Sequence, residues 1–465
     1  MVRGEFRRRG NGEVSAITLA QAAQWCGGSV EAKYRDITFS GANNDSRKLT
    51  RGQLFVALTG ARDGHDFIPQ ALERGAAAVL CTRTDGTYPA IVVEDVRKAM
   101  GDIARGLRQK LAFRVVGITG SVGKSTTKEM VAAVLAKKYR VGKTPVNHNN
   151  DIGLPMAILG MEPDVEVAVL EMGMNHFGEI AYLTAIAQPQ LAVITNIGTM
   201  HIEHLGSQEG ILQAKLEILE GMEPDSPIVL NGDDSRLWGQ RQVLGGRAVY
   251  FGMEEPECQV RGTNYTQAPG RCTLEVQAMG EAFSLRLPLE GRHIAADALA
   301  AVAVGRLMEV PGQAIADALA DFGAMEGRQE ILKVNGCTVI KDCYNAGPES
   351  MEAALGVLGS SPGRRIAVLG DMLELGSSTQ AQHYRVGRIA AVKCDLVLAL
   401  GHNAGRVVSG AITGGMRPDR AVACNTMPEL AELLRSRAKA GDTILIKGSR
   451  GMKMERVLEL FAQEK

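Results

Sequence analysis

Apolar positions in this chain fall into short β-branched runs, separated by longer stretches whose apolar residues recur at helical spacing. The first series predicts a helix at 17–25, stopped by Gly27 and Gly28, and a strand at 53–58. A helix at 67–75, strands at 77–81 and 91–93, and a helix at 96–111 follow. Strands of this length alternating with helices indicate α/β units. The second series predicts strands at 115–119, 165–171, 191–196, 228–231 and 248–251, with helices between. That is the pattern of a doubly wound, mostly parallel sheet. Residues 272–289 alternate apolar and polar side chains, as an antiparallel pair does, and a helix rich in small residues follows at 295–308. After a hinge at 323–327, strands at 339–342, 366–370, 396–400 and 443–447 predict a third, Rossmann-like α/β unit. The expected organisation is therefore a disordered tail at 1–14 and three α/β domains at 15–112, 113–325 and 326–465.

The junction of the first strand and helix of the central unit carries the strongest chemical signal. Gly117-Ile118-Thr119-Gly120-Ser121-Val122-Gly123-Lys124-Ser125-Thr126-Thr127 lies between an apolar run and a helical pattern. A glycine-rich turn in that context lets backbone N–H groups approach a polyphosphate, and the helix N-terminus adds its positive end. Gly120, Ser121, Val122, Gly123, Lys124, Ser125 and Thr126 are thus expected to bind the phosphates of ATP or GTP. Lys124 would reach the β- and γ-phosphates and the Ser125 hydroxyl would coordinate Mg²⁺. The common phosphate-loop pattern has a glycine where Ile118 stands, so this loop is a variant.

Composition narrows the remaining classes. Lys and Arg together number 52, as do Asp and Glu, and the zero net charge argues against a nucleic-acid-binding surface. Aromatic residues make up 4%, too few for base-stacking platforms. The eight cysteines form no C-x-x-C pair and read as reduced core thiols of a cytoplasmic protein. No apolar stretch reaches the about 18 residues of a membrane span, and no signal peptide follows Arg7-Arg8-Arg9.

Polar residues follow the predicted strands, where open parallel sheets bind ligands. Glu171 ends one strand and His201 follows another. Glu171 reads as a helix cap or surface charge, or as a Mg²⁺ ligand shared with Ser125. His201 reads as a structural histidine or as a site residue. The clusters 147–151 and 231–234 are turn-like, and Lys447-Gly448-Ser449-Arg450-Gly451 ends a strand of the third unit. Lys215 is the odd position on a helix predicted at 209–220. Its neighbours three and four residues away, Ile211, Leu212, Ile218 and Leu219, are all apolar. Either its stem packs on that stripe while its head reaches water, or burial lowers its pKa.

Taken in order, these motifs resemble the Mur ligase family over nearly the whole chain from about residue 15. The resemblance is carried in the first unit by Asp45-Ser46-Arg47, residues 54–58 and Asp63-Gly64-His65-Asp66-Phe67. In the second it is carried by the shortened loop ending Gly123-Lys124-Ser125-Thr126-Thr127, by residues 147–155, by Glu171-Met172-Gly173-Met174 and by His201-Ile202-Glu203. In the third it is carried by Asp342-Cys343-Tyr344-Asn345-Ala346, residues 369–376 and Lys447-Gly448-Ser449-Arg450. The third-unit motifs match the branch that adds D-alanyl-D-alanine. Ser125 stands where the family usually has threonine, and Gly347 where it has asparagine. Ile294 and Asp297 depart from its G-x-H-N-x-x-N pattern.

The resemblance implies an ATP- and Mg²⁺-dependent, cytoplasmic, monomeric amide ligase. Its first domain would hold the UDP end of UDP-N-acetylmuramoyl-tripeptide, through Asp45, Ser46 and Arg47, with Asn147 and Asn150 also binding substrate. Asn345 and Arg328 would join the loop in binding ATP. Transfer of the γ-phosphoryl to the peptide carboxylate would give an acyl phosphate, which the amine of D-Ala-D-Ala attacks. The resemblance also implies that Lys215 is carbamylated and holds a second Mg²⁺ with Glu171 and His201. It thereby makes Lys124, Lys215 and His201 the catalytic residues and Ser125, Glu171, His201 and Lys215 the metal ligands. Rival expectations are a folylpolyglutamate synthase-like or diamino-acid-adding ligase and, from another class, a nucleotide-dependent switch.

Overall fold

A computed structural model describes residues 16–323 and 325–463. The tail expected at 1–14 and Ala324 of the expected hinge lie outside the described residues. Three wholly or mostly parallel sheets, beside a two-stranded antiparallel pair of Ile17–Thr18 with Thr38–Phe39, organise the described residues. The N-terminal parallel sheet pairs Ala42–Asn43, Leu54–Val56, Ala78–Cys81 and Ala90–Val92. The helix Val96–Leu111 then packs this unit against the central one, where the Arg108 guanidinium donates to Ala187 O at 2.9 Å.

The central sheet has nine strands. Its parallel part runs in space Val141–Lys143, Val167–Glu171, Arg114–Thr119, Leu191–Ile194, Ile228–Asn231, Ala248–Gly252 and Val260–Ala268. Strands Arg271–Ala278 and Glu281–Leu287 extend it antiparallel. The antiparallel pair expected at 272–289 is thus two strands of a three-stranded meander. Val260–Ala268 escapes sequence reading because it carries more polar than apolar residues. Strands such as Val167–Glu171 are buried on both faces, which is why they read as unbroken apolar runs. Helices Lys124–Leu135 and Arg292–Leu307 cover one face, and alanines along the second let the two approach closely.

The C-terminal sheet runs Glu330–Val334, Cys337–Asp342, Thr443–Lys447, Arg365–Gly370, Leu396–Leu400 and Ala421–Cys424. The first strand is antiparallel and the rest are parallel. The two outer strands were not predicted. Glu330–Val334 alternates half-buried and exposed positions, and Ala421–Cys424 is only four residues long. The helix expected at 209–220 spans Gln208–Leu216 and then tightens into a 3₁₀ turn, Glu217–Gly221. Among the described residues, no helix is long and apolar enough to cross a membrane.

Candidate active site

The strand Arg114–Thr119 turns through Gly120–Gly123 into the helix Lys124–Leu135. Gly120 and Gly123 take φ values of 148° and 88°, open to glycine and strained for other residues. A Cβ at Gly120 would overlap the Thr195 hydroxyl, and one at Gly123 the Asp297 carboxyl. The end of the neighbouring strand clamps the loop. Val122 N donates to Asn196 Oδ1 at 2.9 Å, while Thr195 Oγ1 and Asn196 Nδ2 donate to Val122 O at 2.5 and 3.0 Å. Ser121 Oγ accepts from Gly198 N at 2.9 Å. These contacts hold the shape of the loop from within the protein, which suits phosphate binding by backbone N–H groups.

Lys124 folds back on this loop, donating to Gly120 O at 2.8 Å and Ser121 O at 3.2 Å. Burial is the main force lowering its pKa; Glu171 opposes the shift and Arg328 adds to it. A polyphosphate in the cavity would add its negative charge to that of Glu171 beside this ammonium. Ser125 Oγ donates to Glu171 Oε2 at 2.6 Å, and Asn149 Nδ2 donates to Glu171 Oε1 at 2.9 Å. The backbone of Glu171 is tied in turn by its N–H to Thr144 Oγ1 at 3.0 Å. A hydroxyl and a carboxylate held together at the head of a phosphate loop are hard oxygen donors of the kind Mg²⁺ selects, so these residues fit that ion.

The C-terminal unit completes the wall. Arg328 donates to Ser125 Oγ at 2.8 Å and lies 3.9 Å from the Tyr344 ring centroid. The Tyr344 hydroxyl bonds Asn147 Oδ1. Lys447 Nζ lies 2.6 Å from Asp342 Oδ2 and donates to Asn345 O at 3.0 Å, fixing the loop that presents Asn345. The cavity so enclosed measures about 510 Å³ and is lined by the loop residues Ser121–Thr126, Asn150, Glu171, His201, Arg328 and Asn345. His201 sits in the left-handed region, φ 63°, with Nδ1 2.6 Å from Glu374 Oε2 of the C-terminal unit. Burial is the main cause of its lowered pKa.

Lys215 has the environment expected of it in one respect and not in another. It is 3% exposed, forms no hydrogen bond or ion pair among the described residues, and burial drives its pKa well below the ordinary value. This burial favours the lowered-pKa reading over a head reaching water. Lys215 does not line the cavity, however. Its link to the site is electrostatic: Lys124 lowers its pKa, and Lys215 lowers that of His201.

A second cleft of about 980 Å³ lies between the N-terminal and central units and gathers Asp45, Ser46, Arg47, Asn147 and Asn150. Asn150 lines both cavities. Arg47 grips Asp45 with two hydrogen bonds of 2.9 Å, and this pairing holds the Asp45 carboxyl near a pKa of about 2. Ser46 is buried and donates to Gln70 Oε1 at 2.6 Å.

Sequence reading missed Thr195 and Asn196 as the clamp of the loop, Asn149 and Thr144 as holders of Glu171, and Glu374 as the partner of His201. Each follows a strand or lies in a polar cluster already noted, but the contact crosses from one element to another. The motif 369–376 serves in part as scaffold: Asp371 accepts from His402 N at 2.8 Å and Asn403 N at 3.1 Å.

The chain is similar to known proteins over nearly its whole length. Three family profiles match: "Mur ligase family, catalytic domain" over residues 38–108, "Mur ligase middle domain" over 118–305, and "Mur ligase, glutamate ligase domain" over 327–450. The UDP-N-acetylmuramoyl-tripeptide–D-alanyl-D-alanine ligase of Bacillus subtilis (strain 168) is 37% identical, over 92% of this chain and 94% of the relative. A crystal structure of MurF from Acinetobacter baumannii superposes with a TM-score of 0.89 at 30% identity, covering 97% of this chain and all of that one. The MurF ligase from Thermotoga maritima in complex with ADP gives 0.80 at 30% identity, covering 91% and 97%.

Proposed function

We propose, from the premise that this chain belongs to the Mur ligase family, that it is the ATP-dependent ligase that adds D-alanyl-D-alanine to UDP-N-acetylmuramoyl-tripeptide in peptidoglycan precursor synthesis. The observation that carries the reading is the cavity in which the preformed phosphate loop, the Ser125–Glu171 pair and Arg328 of the third unit meet. The second cleft, at the border of the first and central units, supports a UDP-sugar site there. The three domains are taken as 15–112, 113–325 and 326–465. We take the protein to be a cytoplasmic monomer acting on small molecules.

A carboxylate does not acylate an amine at neutral pH, because its leaving group would be oxide. In the proposed reaction a peptide carboxylate oxygen attacks the γ-phosphorus of ATP, the bond from that phosphorus to ADP breaks, and an acyl phosphate forms. The amine of D-Ala-D-Ala then attacks the carbonyl carbon. The C–N bond forms, the C–O bond to phosphate breaks, and the amine releases its proton to solvent.

The chain's work in this chemistry is positioning and charge neutralisation. Lys124 neutralises the β- and γ-phosphates, the loop from Gly120 to Thr126 holds them through N–H groups, and Arg328 with Asn345 closes the nucleotide end. Ser125 and Glu171 would hold Mg²⁺, which screens phosphate charge and orients the γ-phosphoryl. His201 would serve a second ion together with a carbamate on Lys215. In forming that group, the neutral Lys215 Nζ bonds to the carbon of CO₂, one C=O electron pair moves to oxygen, and an N–H proton leaves to solvent. A lysine buried without a partner favours the neutral amine this step needs.

The deciding experiment is phosphate release with UDP-N-acetylmuramoyl-tripeptides carrying diaminopimelate or lysine as third residue, with and without D-Ala-D-Ala. Release that depends on both the tripeptide and D-Ala-D-Ala is the expected result. Release independent of acceptor would favour a nucleotide switch and overturn the ligase reading.

A further inference from the structure

Asp297 is a carboxyl group in an unexpected place. It lies on the helix Arg292–Leu307, buried beneath the loop that is to receive a tetra-anionic nucleotide. Its Oδ1 accepts from Thr127 Oγ1 at 3.0 Å. The Gly123 backbone approaches so closely that a Cβ there would collide with the carboxyl. The other oxygen, Oδ2, has no hydrogen bond among the described residues, and the side chain lines the cavity. An ionised carboxylate so placed would oppose the phosphates that the loop's N–H groups attract. A carboxylic acid keeps the bond to Thr127, holds the loop from below, and adds a donor on Oδ2.

We propose that Asp297 is a positioning residue of the phosphate loop that works as a neutral acid, so that nucleotide binding requires, and takes up, its proton.

This rests on the reading of the loop as an ATP site and adds to it a proton-linked step. The surroundings agree. Burial pushes the Asp297 carboxyl up to about 8, against the smaller opposing effects of the Thr127 hydrogen bond and of Arg328. Arg328 comes from the third unit, Lys124 from the loop helix, and His293 from one turn before Asp297 on the helix Arg292–Leu307, all lining the same cavity. His293 is held neutral, near a pKa of about 4, so it supplies no counter-charge at the pH of interest. The strands beneath the helix join its cluster through apolar Val229, Phe251, Val260 and Leu274. Arg328 is the charged group whose field reaches the carboxyl, and it also contacts Ser125.

The sign is fixed by linkage. A raised carboxyl pKa means the folded protein keeps a proton that the nucleotide-bound state retains more strongly still. Affinity is then level below the free-protein pKa and falls above it, by up to about tenfold per pH unit. The test is calorimetric binding of a non-hydrolysable ATP analogue with Mg²⁺, between about pH 7.5 and about pH 9.5, to the full chain. The wild type loses affinity above about pH 8, and titrations in two buffers of different ionisation heat report proton uptake. Asp297→Asn, isosteric and unable to ionise, gives a level profile and no proton uptake over the same range. Thr127→Val removes the bond that favours the ionised form and moves the wild-type break to higher pH. Thermal unfolding checks the variant independently. A carboxyl raised in the folded state lowers stability progressively between its unfolded pKa, about 3.9, and its folded one. Asp297→Asn therefore melts higher than wild type at pH 8 and not at pH 4. The same alkaline loss in wild type and Asp297→Asn overturns the inference, as does a folded Asp297→Asn that fails to bind at every pH. No binding by any protein, wild type included, would instead count against the ATP reading itself.

Discussion

The two cavities of this molecule hold their charges in opposite ways. In the cleft between the first and central units, Arg47 and Asp45 satisfy each other, and Arg47 stands largely in water. In the cavity between the central and third units, Lys124 rests on backbone carbonyls, and Lys215 behind the wall forms no hydrogen bond or ion pair among the described residues. An exposed pair can exchange one partner for a ligand at little cost, because water screens both states. A buried ammonium without a counter-charge is held in an unfavourable state by the rest of the fold, and a ligand that supplies the missing charge is bound strongly. The first arrangement suits recognition of a substrate handle, and the second suits stabilisation of charge during reaction. Breaking each should therefore do different damage.

The largest effect is expected at Lys124. Lys124→Ala should lower ligation on the order of 10³-fold, the scale of removing a charge donor aimed at a transition state. Circular dichroism should be unchanged, because among the described residues its side-chain hydrogen bonds go to its own loop. Near-normal phosphate release by a folded variant would mean that the buried charges of this cavity are structural. Lys215→Ala comes next, with a loss of about 100-fold, the scale of disturbing a group that holds a metal. Added acetate should restore part of the activity by standing in for the carbamate. Isotopically labelled bicarbonate should give the wild type, and not the variant, a carbamate resonance. An Ala variant that ligates at the wild-type rate removes Lys215 from the site.

Lys215 also shows what the sequence can and cannot disclose. The apolar neighbours at 211, 212 and 218 marked it as an odd position, but spacing left open whether its head is buried or reaches water. The strands buried on both faces were legible, and so was the phosphate loop, whose glycines answer to backbone geometry over four residues. What escaped is what depends on contacts between elements. Asn196 clamps a loop 74 positions away, Arg328 reaches Ser125 across 203, and His201 meets Glu374 across a domain border. The outer strands Glu330–Val334 and Ala421–Cys424 were also missed. Ala421–Cys424 is too short to stand out, and Glu330–Val334 is interrupted by Lys333 and only half-buried, as an edge strand with one neighbour can be. Asp297 lay in view as a departure from the family pattern, but its chemistry depends on Thr127 and Gly123 pressing on it in space.

At the other cavity the damage should fall on binding. Arg47→Ala should raise KM for the UDP-linked tripeptide about tenfold, the loss of a charge-assisted hydrogen bond, with kcat nearly retained. A fall in kcat with KM unchanged would show that the first unit does more than hold a handle.

The smallest effect separates the cavities most finely, because it concerns how one of them is closed. Glu349, in the first turn of the helix Pro348–Ser360, reaches across to the central unit. Its Oε1 accepts from Thr199 N and Thr199 Oγ1, both at 2.9 Å, while its buried Oε2 has no hydrogen bond among the described residues. Glu349→Gln keeps the accepting oxygen and puts an amide where Oε2 stood, so it should leave domain closure intact. Glu349→Ala deletes both bonds and strands the Thr199 N–H two residues from His201. A net loss of about 1 kcal/mol is the usual scale, and kcat/KM should fall about fivefold. Neither Thr199 nor Glu349 lines the cleft between the first and central units, so KM for the tripeptide substrate should barely move. Small-angle scattering with ATP analogue and UDP-tripeptide should show compaction in wild type and Glu349→Gln, and a smaller compaction in Glu349→Ala. Equal compaction in all three would mean that closure is driven by Arg328 and the nucleotide, leaving the Glu349–Thr199 bridge incidental to catalysis.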